Sequence, residues 1–121
     1  MRYDTNVVVA VDFDNTITVG SVYGMTGRVD GRSVWWLRKI RRLGCKMVLW
    51  TTREGFDLSE ALELAHVAGL DFDYVNEYPQ RNGGRKVNAD VYIDDTANDG
   101  RIRWLRTYLR IRRIVGRRSH E

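Results

Sequence analysis

Two pairs of carboxylates follow two short apolar runs in this chain. Asp12 and Asp14 lie in Val11-Asp12-Phe13-Asp14-Asn15-Thr16, and Asp94 and Asp95 close Val91-Tyr92-Ile93-Asp94-Asp95. Carboxylates brought close together repel, and some must take up protons unless a cation sits among them. A hard divalent ion removes the conflict, and magnesium prefers a few carboxylate oxygens completed by water and phosphate. One acidic pair after a strand is more simply a helix cap or a solvated loop. Two such pairs argue for a site. Thr51, in Leu49-Trp50-Thr51-Thr52-Arg53, offers a hydroxyl, and Lys86, in Arg85-Lys86-Val87-Asn88-Ala89-Asp90, offers an ammonium. Together they suit the equatorial oxygens of a phosphoryl group. Taken singly, Thr51 is a turn residue and Lys86 a solvated charge.

These residues need elements that bring them to one place. Val7 to Val11 is β-branched apart from Ala10 and predicts a strand buried on both faces, as in a parallel sheet. Ser33 to Leu43 has helical spacing, with Val34, Leu37 and Ile40 inward, Trp36 and Leu43 as further candidates, and Gly44 at the stop. Lys46 to Trp50 predicts a second buried strand. Asp57-Leu58-Ser59-Glu60 has the pattern of a capping box, with Asp57 as N-cap and Glu60 reaching back. The helix behind it would bury Leu58, Ala61, Leu62 and Ala65 and stop at Gly69. Phe72 to Val75 predicts a weaker strand and Val91 to Ile93 another, with a last helix starting near Asn98 or Asp99. Strands alternating with helices imply parallel pairing through right-handed crossovers. The expected architecture is one Rossmann-like three-layer α/β/α domain over residues 1–121, with a mainly parallel central sheet. Residues 17–31, punctuated by Gly20, Gly24 and Gly27, are either a hairpin or a plain loop over the end of the first strand. That position makes them a candidate flap over the ligand crevice of an open sheet.

In this order and at these strand ends, the residues resemble the haloacid-dehalogenase (HAD) superfamily. Asp12-Phe13-Asp14-Asn15-Thr16 is similar to its DxDxT first motif, Thr51 to the second, Lys86 to the third, and Asp94-Asp95 to the fourth. The resemblance spans residues 7–95 and is to small bacterial and phage members without a cap domain. It implies a magnesium-dependent phosphatase in which Asp12 is the nucleophile and Asp14 the general acid and base. Thr51 and Lys86 would neutralise phosphoryl charge. Asp12, Asp14 (through its backbone carbonyl) and Asp94 would hold Mg2+. Asp95 would stand behind the metal, orienting one of its waters or Lys86, and Thr16 would fix the turn. Asn15, Thr52 and Arg53 are candidates for substrate contact. A site without a cap implies a large substrate, a nucleotide or nucleic-acid end among them, or closure by a neighbouring subunit, though nothing in the sequence indicates an oligomer.

Composition agrees with a single folded domain: 121 residues, 43% hydrophobic and 30% charged. The single cysteine, Cys45, excludes a disulfide framework and a cysteine zinc site, and points to a reducing compartment. The first apolar run is too short for a leader core or a membrane span, so a soluble, cytoplasmic protein without membrane contact is expected. Charge is uneven. Residues 1–100 carry 12 Lys/Arg against 15 Asp/Glu, whereas residues 101–121 carry 8 Arg against Glu121. On a helical wheel Arg103, Arg106, Arg110, Arg113 and Arg117 form one stripe, and Trp104, Tyr108, Ile111 and Val115 the opposite one. An ordinary solvated face is the simpler account, and a phosphate-contacting face for nucleic acid is the functional one. The alternation around Ile111 and the glycine at 116 leave open an early helix end with a short edge strand. Trp35, Arg38 and Arg42 would extend any basic surface. The alternative to an enzyme is a weakly catalytic or non-catalytic HAD-fold protein that binds nucleic acid through this arginine-rich C-terminus.

Overall fold

The computed structural model describes residues 6–22, 25–77, 88–94 and 102–118. Strand β1 (Val8–Asp12) runs through the middle of the sheet. Strand β4 (Lys46–Trp50) lies parallel along one side of it, with Val8 opposite Lys46 and Asp12 opposite Trp50. Strand β6 (Val91–Ile93) lies parallel along the other side, with Val11 opposite Ile93, and β5 (Tyr74–Val75) extends the sheet beyond β4. The order β5-β4-β1-β6, all parallel, gives an α/β fold compatible with the Rossmann-like three-layer architecture expected from the alternation of elements.

Side-chain alternation decides what each face of the sheet meets. Val9, Val11, Met47, Leu49, Val91 and Ile93 merge with the inward residues of three helices in one core. Helix α1 (Gly31–Arg41) contributes Val34, Leu37 and Ile40, and α2 (Gly55–Val67) contributes Ala61 and Ala65. Helix α3 (Trp104–Arg118) contributes Trp104 and Ile111. On the other face Val8 and Val48 are fully buried and pack with Trp50, Tyr74 and Ala89. Both faces are thus out of water, as a parallel sheet requires. Cys45 is buried beside this core, a small apolar residue and no more.

Several element boundaries differ from the sequence expectation. Helix α2 starts before the expected capping box: the Asp57 N–H already donates to the Glu54 carbonyl, so Asp57 lies inside the first turn. Glu60 does not reach back, because its carboxylate accepts from Thr26 and Arg53. Helix α3 begins at Trp104, and residues 102 and 103 precede it without helical structure; the positions expected to open it, Asn98 and Asp99, lie outside the described residues. Gly116 does not end that helix, and among the described residues no strand follows Leu109. The fifth strand shrinks to Tyr74–Val75.

The described residues between 17 and 31 form a hairpin. Strand β2 (Thr18–Val19) pairs antiparallel with β3 (Arg28–Val29), and Val22 bridges to Met25 nearer the tip. Gly27 is needed there, since a Cβ on it would lie 2.1 Å from the backbone oxygen of Val19.

Helix α3 forms despite its charge. Its like-charged neighbours three and four residues apart each cost about 0.2–0.5 kcal/mol. Burying Trp104 and Ile111 returns about 1.5–3 kcal/mol each, so packing wins. Arg118 adds an anchor, bonding the Asp90 carboxylate and the Asn6 carbonyl. No helix among the described residues is long and apolar enough to cross a membrane.

Candidate active site

Asp12 is the last residue of β1. Because Val11 faces Ile93 in register, the next residue of each strand brings Asp94 beside Asp12, on backbones about 4.8 Å apart. On the opposite side Asp12 faces Trp50, and Thr51 follows directly. Asp12, Asp94 and Thr51 therefore share the C-terminal edge of the sheet. Beyond Asp12 the chain closes a tight turn in which the N–H groups of Thr16, Ile17 and Thr18 lie 3.2, 2.9 and 3.3 Å from the Phe13 carbonyl. Buried Phe13 and Ile17 pin this turn inward and leave Asp14 and Asn15 facing the crevice. Thr16 is buried, and its hydroxyl donates to Asp12 Oδ2 over a long 3.4 Å. That contact links the turn back to the end of β1.

Asp14 is held by Arg53. Nε donates to Oδ2 at 2.9 Å and Nη2 to Oδ1 at 2.7 Å, the two-pronged geometry that a guanidinium favours. The remaining Arg53 donors go to the Thr26 hydroxyl, the Asp57 carbonyl and the Glu60 carboxylate, and the guanidinium lies over the Phe13 ring. All five of its N–H groups are spent within the protein. The sequence offered Arg53 as a substrate contact; in this arrangement it positions Asp14 instead. The hydrogen bonds from Arg53, helped by its charge, hold the Asp14 carboxyl below the usual carboxylate range against a smaller opposing effect of burial. Asn15 is likewise committed: its side chain both accepts from the Ser21 N–H and donates to the Ser21 carbonyl, tying the turn to the hairpin.

Thr51 is buried, and its hydroxyl oxygen accepts the Arg53 N–H at 3.1 Å, keeping its own proton to give. Thr52 is exposed beside it. The Thr51 N–H is taken by Asn76 Oδ1 at 2.8 Å, while the Asn76 N–H donates to Leu49. Asn76 adopts φ 56°, a left-handed conformation that asparagine tolerates well. It ties the end of β4 to the end of β5, a role not assigned from sequence. Its only sequence signal was an asparagine directly after a strand. Thr26 and Ser21 also went unassigned, and Glu60 was read only as part of a helix cap; Thr26 and Glu60 meet across 34 positions of the chain.

A cleft of about 510 Å3 opens between the hairpin and the start of α2, lined by Asp14, Asn15, Val22, Met25, Thr26 and Arg53 among others. Among the described residues no group of three or more His, Cys, Asp or Glu could hold a metal. A cation at the sheet edge would have the carboxylates of Asp12 and Asp94, with a backbone carbonyl, water and phosphate completing its shell. That donor set suits magnesium, which keeps several waters, and not zinc. With the Asp14 carboxylate engaged by Arg53, the share of Asp14 in such a site falls to its backbone carbonyl. Lys86 and Asp95 lie outside the described residues.

No family model matches the sequence, and neither does any curated protein. Among solved structures the chain is similar to a conserved protein coded by a locus from Bacteroides thetaiotaomicron. The two share 32% sequence identity over 88% of this chain and 89% of that chain, with a TM-score of 0.74. At that identity over nearly the whole of both chains, this protein belongs to the same family as the conserved Bacteroides thetaiotaomicron protein.

Proposed function

We propose that the protein is a magnesium-dependent phosphomonoesterase of the HAD type, with Asp12 as its nucleophile. The observation that carries this reading is the strand register that makes Asp12 and Asp94 neighbours at one sheet edge, with Thr51 across from them. Support comes also from the adjoining cleft, whose volume of about 510 Å3 falls within the usual range for small-molecule sites. It suits a phosphate ester with a nucleotide-sized body.

In the first half-reaction a carboxylate oxygen of Asp12 attacks phosphorus, the bond to the ester oxygen breaks, and an aspartyl-phosphate forms. Asp14 gives the leaving oxygen its proton. In the second, water attacks phosphorus, Asp14 takes the water's proton, and free phosphate and the Asp12 carboxylate are regenerated. The Thr51 hydroxyl and the Lys86 ammonium donate to the phosphoryl oxygens as charge builds on them. Magnesium, held by Asp12, Asp94 and the carbonyl of Asp14, would supply further neutralisation of that charge. Asp14, held below its ordinary range by Arg53, is ionised at neutral pH in the free protein, the state in which it can accept the water's proton, although the same shift lowers its basicity. An arriving phosphate dianion pushes the other way, because a nearby like charge favours the protonated form that the first step needs.

The direct test is Asp12→Asn, whose amide is a poor nucleophile. Release of nitrophenolate from p-nitrophenyl phosphate should vanish with the fold intact by circular dichroism. In the unaltered protein, EDTA should abolish the same release and added Mg2+ restore it. Undiminished turnover by Asp12→Asn would remove Asp12 from the chemistry.

A further inference from the structure

Charge in this molecule is sorted by helix. Helix α1 carries Arg32, Arg38, Lys39 and Arg41 and no carboxylate. Helix α3 carries Arg106, Arg110, Arg112, Arg113, Arg117 and Arg118 and no carboxylate. Helix α2 is the reverse, with Asp57, Glu60 and Glu63 and neither Lys nor Arg. The two basic helices pack together, for Trp36 of α1 lies 5.9 Å from the ring of Tyr108 of α3. Lys39 Nζ lies 5.4 Å from the Trp35 ring and 5.2 Å from that of Tyr108. Trp35 is 57% exposed.

The arginines of α3 do no evident structural work beyond Arg118. Among the described residues, Arg118 alone of them forms an ion pair, with Asp90. Arg103, Arg106, Arg110, Arg113 and Arg117 are all exposed, at steps of three and four residues along one face. That face has a direction. Arg118 is bonded to Asn6 and Asp90, the residues just ahead of β1 and β6, so the C-terminus of α3 lies at the sheet edge where those strands begin. Arg103, at the other end, lies toward the edge where they end in Asp12 and Asp94. From Arg106 to Arg117 the helix rises about 16.5 Å, and Arg103 stands just ahead of its first turn. One strand of a duplex presents roughly five phosphates in that length.

We infer that the α1–α3 layer is a binding surface for a nucleic-acid strand, whose phosphates lie along the Arg103–Arg117 stripe. Charge complementarity selects a polyanion, and the exposed Trp35 beside Lys39 is the kind of aromatic face on which bases stack. A membrane surface fits less well, because the largest apolar side chains of α3, Trp104 and Ile111, are buried in the core and cannot insert, and the exposed Leu105 and Leu109 stand among the stripe arginines rather than forming an apolar face of their own. A second copy of this face would meet like charge with like.

The test reads binding, on a surface apart from Asp12, so it stands or falls independently of hydrolysis. The intact protein is titrated into a fluorescently labelled single-stranded oligonucleotide at rising salt. The expected slope of log affinity against log salt is roughly −3.5 for five contacts, at about 0.7 per phosphate of a single strand. Changing all five stripe arginines to glutamine should abolish binding at low salt while p-nitrophenyl phosphate hydrolysis continues. Should that variant fail to fold, Arg106→Gln with Arg113→Gln should flatten the slope by roughly 1.4. Arg28→Gln, an exposed arginine on β3, should leave the slope unchanged. No binding at low salt overturns the inference, as does binding that survives loss of the stripe. Equal binding of poly-glutamate, or binding to vesicles of anionic lipid in place of the oligonucleotide, overturns it too.

Discussion

At the scale of single residues, the pairing of Asp14 with Arg53 governs what the proposed acid and base can do. The placement of Asp12 at the end of a strand, and of Asp14 just beyond it, was legible in the sequence, because spacing after a strand is local information. The clamp on Asp14 was not, because Arg53 lies 39 residues away and only the folded chain brings them together. Removing the guanidinium removes the main cause of the lowered Asp14 range, so its carboxyl should keep a proton to higher pH. With an alkyl phosphate, whose leaving oxygen needs that proton, the pH profile of kcat/KM for Arg53→Gln should move upward. With a nitrophenyl ester, which leaves unaided, the profile should barely move. Identical shifts for both esters would mean that Arg53 acts through the hairpin alone. The same contrast applies to Asp14→Asn, which should slow alkyl phosphate hydrolysis by about 10²–10⁴ and nitrophenyl hydrolysis much less.

At the scale of elements, strands were read more accurately than helix starts. Lys46–Trp50 and Val91–Ile93 have the bounds that their apolar runs predicted, since an unbroken buried run has a sharp polar end. Helix starts depend on which side chains cap them, and capping competes with tertiary contacts. Glu60 had the right spacing to close a box on Asp57, but Arg53 and Thr26 offered it a charged donor and a hydroxyl. The hairpin was left open against a loop because two-residue strands carry almost no periodicity. What makes it a structural part of the cleft is its latch to α2 through Thr26, Glu60 and Arg53, together with Gly27. Gly27→Ala puts a Cβ against the Val19 carbonyl and must displace backbone, at a cost of about 1–3 kcal/mol. Gly31→Ala, at the start of α1 with open space around it, should instead stabilise by about 0.4–1 kcal/mol. Thermal unfolding of the two variants measures the difference, and hydrolysis should fall only in Gly27→Ala. Equal melting temperatures would mean that the hairpin is not fixed as described.

At the scale of the whole molecule, buried and half-buried ion pairs tie the layers together and set the response to acid. Asp73 accepts two bonds from Arg41 at the end of α1, both 3.1 Å, and the Met47 N–H of β4 at 2.8 Å. Burial alone would raise its carboxyl; Arg41 and the Met47 N–H outweigh that and leave it below its ordinary 3.8. Asp14 is depressed in the same sense by Arg53. A carboxyl whose acidity range is lowered in the fold stabilises it above the unfolded value, and that contribution is lost as pH falls through the folded one. His66 works in the opposite sense. The hydrogen bond it donates to Asp71 raises it above 6.5, so its contribution is present below that value and is lost as pH rises through the folded one. The pair is exposed, so its contribution is small. Thermal stability should therefore change little between about pH 5 and 7 and fall steeply below about pH 4. Asp73→Asn should lower the plateau by about 1–3 kcal/mol, because the Arg41 fork loses its charged acceptor. It should also make the acid limb shallower, since one depressed carboxyl no longer titrates. The measurement is the melting temperature from pH 2 to 7, by circular dichroism, for both proteins. An acid limb as steep in the variant as in the parent would remove Asp73 from the link between α1 and β4 as a source of acid sensitivity.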